Sequence, residues 1–112
     1  MNIVAIGAHP DDLEIFAYGF LAAASSRGDN LILGVATDGA AGGVSQGAEL
    51  AKQRADEAQD GLAALGTPTL LNLPDGRLAD APNARNCIKD FIRDAAPDLL
   101  ITHAPEDYHP DH

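Results

Sequence analysis

The sequence is short of cysteine and of aromatic residues, and each shortage excludes something. Its one cysteine, Cys87, rules out a disulfide within the chain. Cys87 falls on a predicted amphipathic helix, where we expect a small core residue rather than a nucleophile. Tryptophan is absent and aromatic residues make up 4% of the chain, so the core must be built from Ile, Leu, Val and Ala.

Basic residues and long apolar runs are also scarce. Seven Lys and Arg stand against 17 Asp and Glu, and the net charge of −10 argues against nucleic acid and anionic membranes as partners, since both need a positive face. No stretch approaches the length of a membrane span and no signal sequence is visible, so we expect no membrane anchor and a cytoplasmic protein. The 112 residues suggest a single domain over 1–112.

Short apolar runs alternate with amphipathic segments along the chain. Strands are expected at 1–8, 31–37, 69–73 and 98–102, and helices at about 13–28, 51–65 and 88–95. The first of these helices carries Phe16, Phe20 and Ala23 on one side. Strands separated by single helices predict an α/β fold with right-handed crossovers. We expect a Rossmann-like three-layer sandwich with a parallel sheet in the strand order 3-2-1-4.

Ionisable side chains follow the first and the fourth predicted strands. His9, Asp11 and Asp12 come after the first strand, and all three remaining histidines lie in the segment 103–112 after the fourth. In the order 3-2-1-4 these two strands are neighbours at the topological switch point, where open α/β sheets bind ligands. The sequence therefore predicts one site built from both segments.

The residue types at this site suit a metal ion. His9 and Asp12, three residues apart at a strand-to-helix turn, can point to one place. A histidine from 103–112 would complete two imidazoles and one carboxylate, the ligand set of catalytic zinc sites that keep an open position. One carboxylate of the pair Asp11 and Asp12 can bind the metal while the other stays free as a base. Spacing alone leaves open which histidine is the third ligand.

Two segments resemble the signatures of a known family. Residues 8–15, Ala-His-Pro-Asp-Asp-Leu-Glu-Ile, resemble the first signature of the LmbE-like (PIG-L) deacetylases, and residues 108–112, Tyr-His-Pro-Asp-His, resemble the second. Other segments fall where that family has matching ones: Thr37-Asp38-Gly39, Arg54 with Glu57, and Leu73-Pro74-Asp75-Gly76. The likeness runs in order along the whole chain.

The resemblance implies a zinc-dependent hydrolase on a Rossmann-like fold. Such enzymes remove N-acetyl groups from GlcNAc-containing small molecules or glycoconjugates, so the expected partner is an N-acetyl amino sugar. His9, Asp12 and His112 would bind one Zn²⁺ per chain, with other divalent metals as alternatives. His103 is a rival for the third ligand position.

The resemblance also implies roles in catalysis and in substrate binding. Asp11 would be the general base, and His109 would act as an acid or stabilise the oxyanion. Asp111 would orient His109. Arg54 and Asp75 would contact sugar hydroxyls, although the first could simply pair with Glu57 and the second could simply shape a turn.

The short length of the chain allows other interpretations. Members of the family are usually about twice as long, so we expect the domain at 1–112 to be shortened on its C-terminal side. A non-catalytic Rossmann-type module that binds a sugar or nucleotide, or an inactive fragment, are the rival functions. No G-x-G-x-x-G pattern follows the first strand, which argues against a dinucleotide site. A homo-oligomeric state is left open.

Overall fold

The computed structural model describes residues 1–40 and 47–112. Four strands and four helices alternate along them: β1 (Asn2–Gly7), α1 (Asp12–Phe16), α2 (Tyr18–Ser26), β2 (Asn30–Thr37), α3 (Gly47–Leu62), β3 (Thr69–Leu73), α4 (Ala84–Ala95) and β4 (Leu99–Ile101). A short 3₁₀ turn, Leu78–Asp80, precedes α4. Most of the glycine-rich segment after β2, at 41–46, lies outside the described residues.

The strands form one parallel sheet in the order β3-β2-β1-β4. β1 is a central strand, with Ile3 opposite Leu31 of β2 on one side and Leu99 of β4 on the other. Both the parallel sheet and its predicted order are confirmed. Because β1 and β4 are adjacent, the segments that follow them leave the same edge of the sheet side by side.

Helices cover both faces of this sheet. Side chains of β1 and β2 pack with α1, α2 and α3 in one buried cluster: Ile3, Ala5, Leu13, Ala17, Leu21, Ala24, Leu33 and Leu62. Gly34 follows Leu33 in β2 and therefore faces the opposite side. There the ring of Phe91 in α4 lies so close that a Cβ on Gly34 would be 2.6 Å from it. The result is the predicted three-layer α/β sandwich.

The first predicted helix is divided in two. α1 and α2 meet at Ala17, whose φ of −124° and ψ of −8° depart from helical values. The buried side of the pair carries Leu13, Ala17, Leu21 and Ala24, whereas Phe16 and Phe20 are 43% and 46% exposed. Both stripes have helical spacing, and the side with Leu and Ala residues is the one that packs on the sheet.

The edge strand β4 is shorter than predicted. It covers Leu99–Ile101, and Leu99 and Leu100 are each 39% exposed.

Among the described residues, no helix combines the length and the apolar character needed to cross a bilayer.

Replacing Gly34 tests the packing of α4 on the sheet. We expect Gly34→Ala to lower the free energy of unfolding by about 1–3 kcal/mol, because the added methyl group overlaps the Phe91 ring. Gly19→Ala is the matched control, since a Cβ at this position in α2 meets nothing within 4 Å in the described part of the chain. It should raise stability by about 0.5–1 kcal/mol through helix propensity. Urea unfolding of both variants measures the difference, and a harmless Gly34→Ala would contradict the packing described.

Candidate metal centre

The backbone at the end of β1 is held from both sides. The N–H of Ala8 donates to Nε2 of His103, in the segment after β4, at 3.0 Å. The carbonyl of Ala8 accepts the N–H of Thr37 at 2.8 Å and its hydroxyl at 2.7 Å. His9 therefore follows a residue that is fixed both to β2 and to the segment after β4.

A tight turn brings Asp12 back beside His9. Asp12 is the first residue of α1, and its Oδ2 accepts the backbone N–H of His9 at 2.8 Å. A Cβ on Gly7 would lie 3.0 Å from Cβ of Asp12, so the absence of a side chain at position 7 allows this close return. The turn places the side chains of His9 and Asp12 on one side of the strand end.

The segment 107–112 folds over the same strand end through local hydrogen bonds. The N–H of His109 donates to Oδ1 of Asp107 at 3.0 Å, and the N–H of His112 donates to the carbonyl of His109 at 3.1 Å. The N–H of Asp111 donates to Nδ1 of the His109 ring at 3.1 Å. These bonds curl the segment so that the His112 ring turns towards β1.

Three atoms that could bind a metal ion converge between the two segments. Nδ1 of His9 lies 3.2 Å from Oδ2 of Asp12 and 3.3 Å from Nε2 of His112, and that Nε2 lies 3.4 Å from the same carboxylate oxygen. Zinc–ligand bonds of ~2.0–2.1 Å in tetrahedral geometry separate ligand atoms by roughly 3.3 Å. The arrangement and its two nitrogens and one oxygen therefore fit a zinc ion.

His9 has carboxylates behind its other nitrogen. Its Nε2 lies 3.0 Å from Oδ2 of Asp111 and 3.1 Å from Oδ1 of Asp75. The Asp111 carboxylate also accepts backbone N–H groups from Gly76 at 2.7 Å and Leu78 at 3.0 Å. Burial acts to raise the pKa of Asp111, but the hydrogen bonds from Leu78, His9 and Gly76 outweigh it and the pKa lies below its ordinary value.

The contacts of Asp111 differ from the predicted ones. The resemblance implied that its side chain orients His109, whereas its carboxylate contacts His9 and the segment after β3. Only the backbone N–H of Asp111 reaches the His109 ring. The tight turn at 109–112 points the Asp111 side chain away from that ring.

Asp107 lies beside the site, although it was not among the residues predicted from the sequence. Its Oδ1 lies 3.1 Å from Nδ1 of His112, although this buried nitrogen makes no hydrogen bond among the described residues. The backbone N–H of His109, and then the ring of His112, lower the pKa of Asp107. Its spacing from His112 follows neither a helical nor a strand period, so no pattern in the sequence indicates this contact.

His103, the rival third ligand, is placed differently from His112. Its Nε2 lies 3.2 Å from Oδ2 of Asp12 but accepts the N–H of Ala8, which occupies its lone pair. Its ring stacks on that of His112 with centroids 3.8 Å apart and an interplanar angle of 4°. Burial, and then the nearby His112, lower the pKa of His103. His103 thus packs against the His112 ring. Its lowered pKa favours the neutral form of the His103 imidazole.

A cavity of about 280 Å³ opens beside His9. Five predicted site residues line it: His9, Asp11, Arg54, Asp75 and His109. Asp11 is exposed, and none of the three converging donor atoms belongs to it. Arg54 reaches the cavity from α3 and pairs with Glu57 through Nη1 and Oε2 at 3.0 Å. The structure thus brings two of the predicted catalytic residues, Asp11 and His109, together with the predicted sugar-binding residues, whereas Asp111 does not line this cavity.

A larger cavity of about 880 Å³ lies elsewhere, along α4 and the 3₁₀ turn. Its lining includes Leu78, Ile88 and Ile92 with three basic side chains, but no histidine, cysteine or carboxylate from the described residues. Size alone would favour this cavity as a ligand site. The smaller one holds the groups that can do chemistry, so we assign the candidate site there.

Comparisons with known proteins give a family match and several similar solved structures. Residues 4–112 match the PIG-L family, described as GlcNAc-PI de-N-acetylase. The N,N′-diacetylchitobiose deacetylase of Pyrococcus horikoshii, solved with an inhibitor, is 30% identical with a TM-score of 0.82, over 99% of this chain and 45% of that one. A conserved protein of Thermus thermophilus is 30% identical with a TM-score of 0.77, over 98% and 49%. Among curated proteins the comparison finds no match.

A third solved structure shares the fold alone. The 4-carboxy-2-hydroxymuconate hydratase of Pseudomonas putida is 21% identical with a TM-score of 0.79, over 99% of this chain and 50% of that one. The chain thus spans about half the length of the solved structures it matches. Because the family match extends over nearly all its residues, the chain belongs to the PIG-L (LmbE-like) family of GlcNAc-PI de-N-acetylases.

Proposed function

We propose that this chain carries the metal centre of a zinc-dependent N-deacetylase, which removes acetyl groups from GlcNAc-containing small molecules or glycoconjugates. One observation supports the proposal above the others: Nδ1 of His9, Oδ2 of Asp12 and Nε2 of His112 lie 3.2–3.4 Å from one another beside the site cavity. The deacetylase among the similar solved structures supports the reaction class. Since the chain spans about half of such proteins, the activity of the whole enzyme is part of the proposal.

Zinc is the proposed metal, at one ion per chain. Mg²⁺ and Ca²⁺ favour oxygen ligands, whereas two imidazole nitrogens and one carboxylate suit Zn²⁺ with a position left open for water or substrate. Other divalent transition metals remain alternatives for the same donors. When bound, the ion supplies a Lewis acid that polarises an amide carbonyl and lowers the pKa of water to ~7.

Asp11 is the proposed general base. It neighbours the ligand Asp12 in sequence, lines the cavity and is exposed there, while the three converging donor atoms come from other residues. A carboxylate oxygen in this position can take the proton of the water whose oxygen attacks the acetamide carbonyl carbon. The same carboxyl group can later return that proton.

His109 is the proposed oxyanion stabiliser and acid. Its Nδ1 accepts the N–H of Asp111, so in the neutral ring the proton resides on Nε2. That N–H can donate to the negative charge that develops on the carbonyl oxygen. When the C–N bond breaks, Asp11 returns its proton to the leaving amine, or His109 donates one from the imidazolium form in which both ring nitrogens are protonated, and the products are acetate and a free amino sugar.

Arg54 and Asp75 are the proposed contacts for sugar hydroxyls. Both line the cavity with His9 and Asp11, and Glu57 holds the Arg54 guanidinium in place. Arg54, and then Gln53, lower the pKa of Glu57 through hydrogen bonds, which keeps this carboxylate charged. The volume of about 280 Å³ is near the lower end for ligand pockets and suits a single sugar ring.

Two expectations from the sequence stay predictions, namely a cytoplasmic location and a single domain over 1–112 shortened on its C-terminal side. A homo-oligomeric state is left open.

Metal analysis tests the ligand set. We expect the purified chain to hold about one zinc ion after dialysis, and His9→Ala and His112→Gln to lose it, because each removes one of three protein ligands. His103→Gln is the comparison variant, since the Ala8 N–H already occupies the lone pair of His103, and it should keep the ion. Retention by His112→Gln together with loss in His103→Gln would show that the third ligand is wrongly assigned.

Removing the base should separate metal binding from catalysis. We expect Asp11→Asn to keep its zinc and to lose roughly 10²–10⁴-fold in kcat, the usual contribution of a general base. Acetate release from N-acetylglucosamine and N,N′-diacetylchitobiose measures the rate. An Asp11→Asn enzyme with normal kcat would sink the base assignment. A wild-type chain that binds these sugars equally well with and without chelator, and releases no acetate, would favour the non-catalytic binding module.

Arg54→Gln tests the sugar contact. We expect KM to rise about tenfold with a smaller change in kcat, because hydrogen bonds to hydroxyls that are made before the chemical step are lost. Lys52→Gln is the matched control on the same helix, where Lys52 is 80% exposed and pairs with Asp56. Kinetics on the same sugar compare the two variants, and equal KM values for them would leave Arg54 without a role in substrate binding.

A further inference from the structure

The two nitrogens of the His9 ring face different surroundings. Nδ1 faces the two other proposed ligand atoms, on Asp12 and His112. Nε2 faces carboxylate oxygens of Asp111 and Asp75 at 3.0 and 3.1 Å. In the tautomer that carries its proton on Nε2, this nitrogen donates to the carboxylates and the lone pair of the neutral ring is on Nδ1. The surroundings of Nε2 therefore determine what Nδ1 can offer.

Asp111 is the more buried of these two carboxylates. Its side chain is 1% exposed, against 9% for Asp75. Backbone N–H groups of Gly76 and Leu78 fix both of its oxygens, at 2.7 and 3.0 Å, and these donors do not depend on any side chain. Asp111 thus joins three segments: its own turn, the segment after β3, and the strand end that carries His9.

We propose that Asp111 is a positioning residue of the metal centre, which holds the proton on Nε2 of His9 so that Nδ1 presents its lone pair to the cation. The inference rests on the proposed function. It replaces the predicted role, because the Asp111 carboxylate touches His9 while only its backbone N–H touches His109. Carboxylates behind metal-bound histidines fix the tautomer and raise ligand basicity, and their loss commonly costs ~10–100-fold in metal affinity.

Asp111→Asn, made in the whole chain, tests the proposal through zinc affinity. We expect the zinc dissociation constant, measured by competition with a chelator, to rise ~10–100-fold. Replacement of Zn²⁺ by Co²⁺ should give an altered ligand-field spectrum, which a loss of general stability would not produce. Asp98→Asn is the matched control, because Asp98 accepts the N–H of Asn2 at 2.7 Å, far from the histidines, and it should bind zinc as the wild type does.

His109→Gln distinguishes the two roles of Asp111. If Asp111 acted through His109, Asp111→Asn would lower kcat and leave the zinc dissociation constant unchanged, as we expect for His109→Gln. The backbone N–H of Asp111 survives in the Asn variant, so its contact with His109 is retained. A folded Asp111→Asn chain with wild-type zinc affinity would overturn the inference.

A second measurement uses the wild type, so it tests the proposal even if Asp111→Asn fails to fold. In the zinc-loaded wild type, ¹⁵N NMR of the histidine rings should show Nδ1 of His9 bound to metal and a slowly exchanging proton on Nε2. Metal on Nε2, or a proton on Nδ1, would overturn the proposal. A wild-type chain that binds no zinc would refute the proposed function as well, whereas tight zinc binding with the opposite tautomer would refute this inference alone.

Discussion

Three possible metal-ligand atoms face one another between the segments that follow β1 and β4. Nδ1 of His9, Oδ2 of Asp12 and Nε2 of His112 lie 3.2–3.4 Å apart, too close for three acceptors unless protons or a cation lie between them. The local structure serves this convergence: the Ala8 backbone is fixed to both neighbouring segments, and Gly7 leaves room for Asp12 to return. Because the same atoms match the spacing of ligands around a zinc ion, they carry the proposal of a metal ion at this place.

A layer of supporting contacts surrounds the convergence. Asp111 lies behind His9, Asp107 lies behind His112, and His103 stacks against the His112 ring. The segment after β3 enters this layer through its backbone, since Gly76 and Leu78 donate to Asp111. The cavity with Asp11 and His109 is also lined by Asp75 and Gly76. His9 thus belongs both to this supporting layer and to the lining of the cavity.

The fold could be predicted from the sequence because its signals are local and repeated. Apolar runs separated by single amphipathic helices determine the sheet order, and that order brings His9 and His112 together. The burial of the first helix pair could not be predicted, because Phe16–Phe20 and Leu13–Ala17 share the same spacing. The contacts of Asp111 and Asp107 could not be predicted from the sequence either, since they depend on how one turn folds over the end of another strand.

Anomalous diffraction at the zinc edge, from crystals of the chain grown with zinc, tests the central claim most directly. The account predicts one strong peak, at ~2.0–2.2 Å from Nδ1 of His9, a carboxylate oxygen of Asp12 and Nε2 of His112. A peak held by His103 instead of His112, or an ordered site in which these three side chains surround no metal at all, would contradict it.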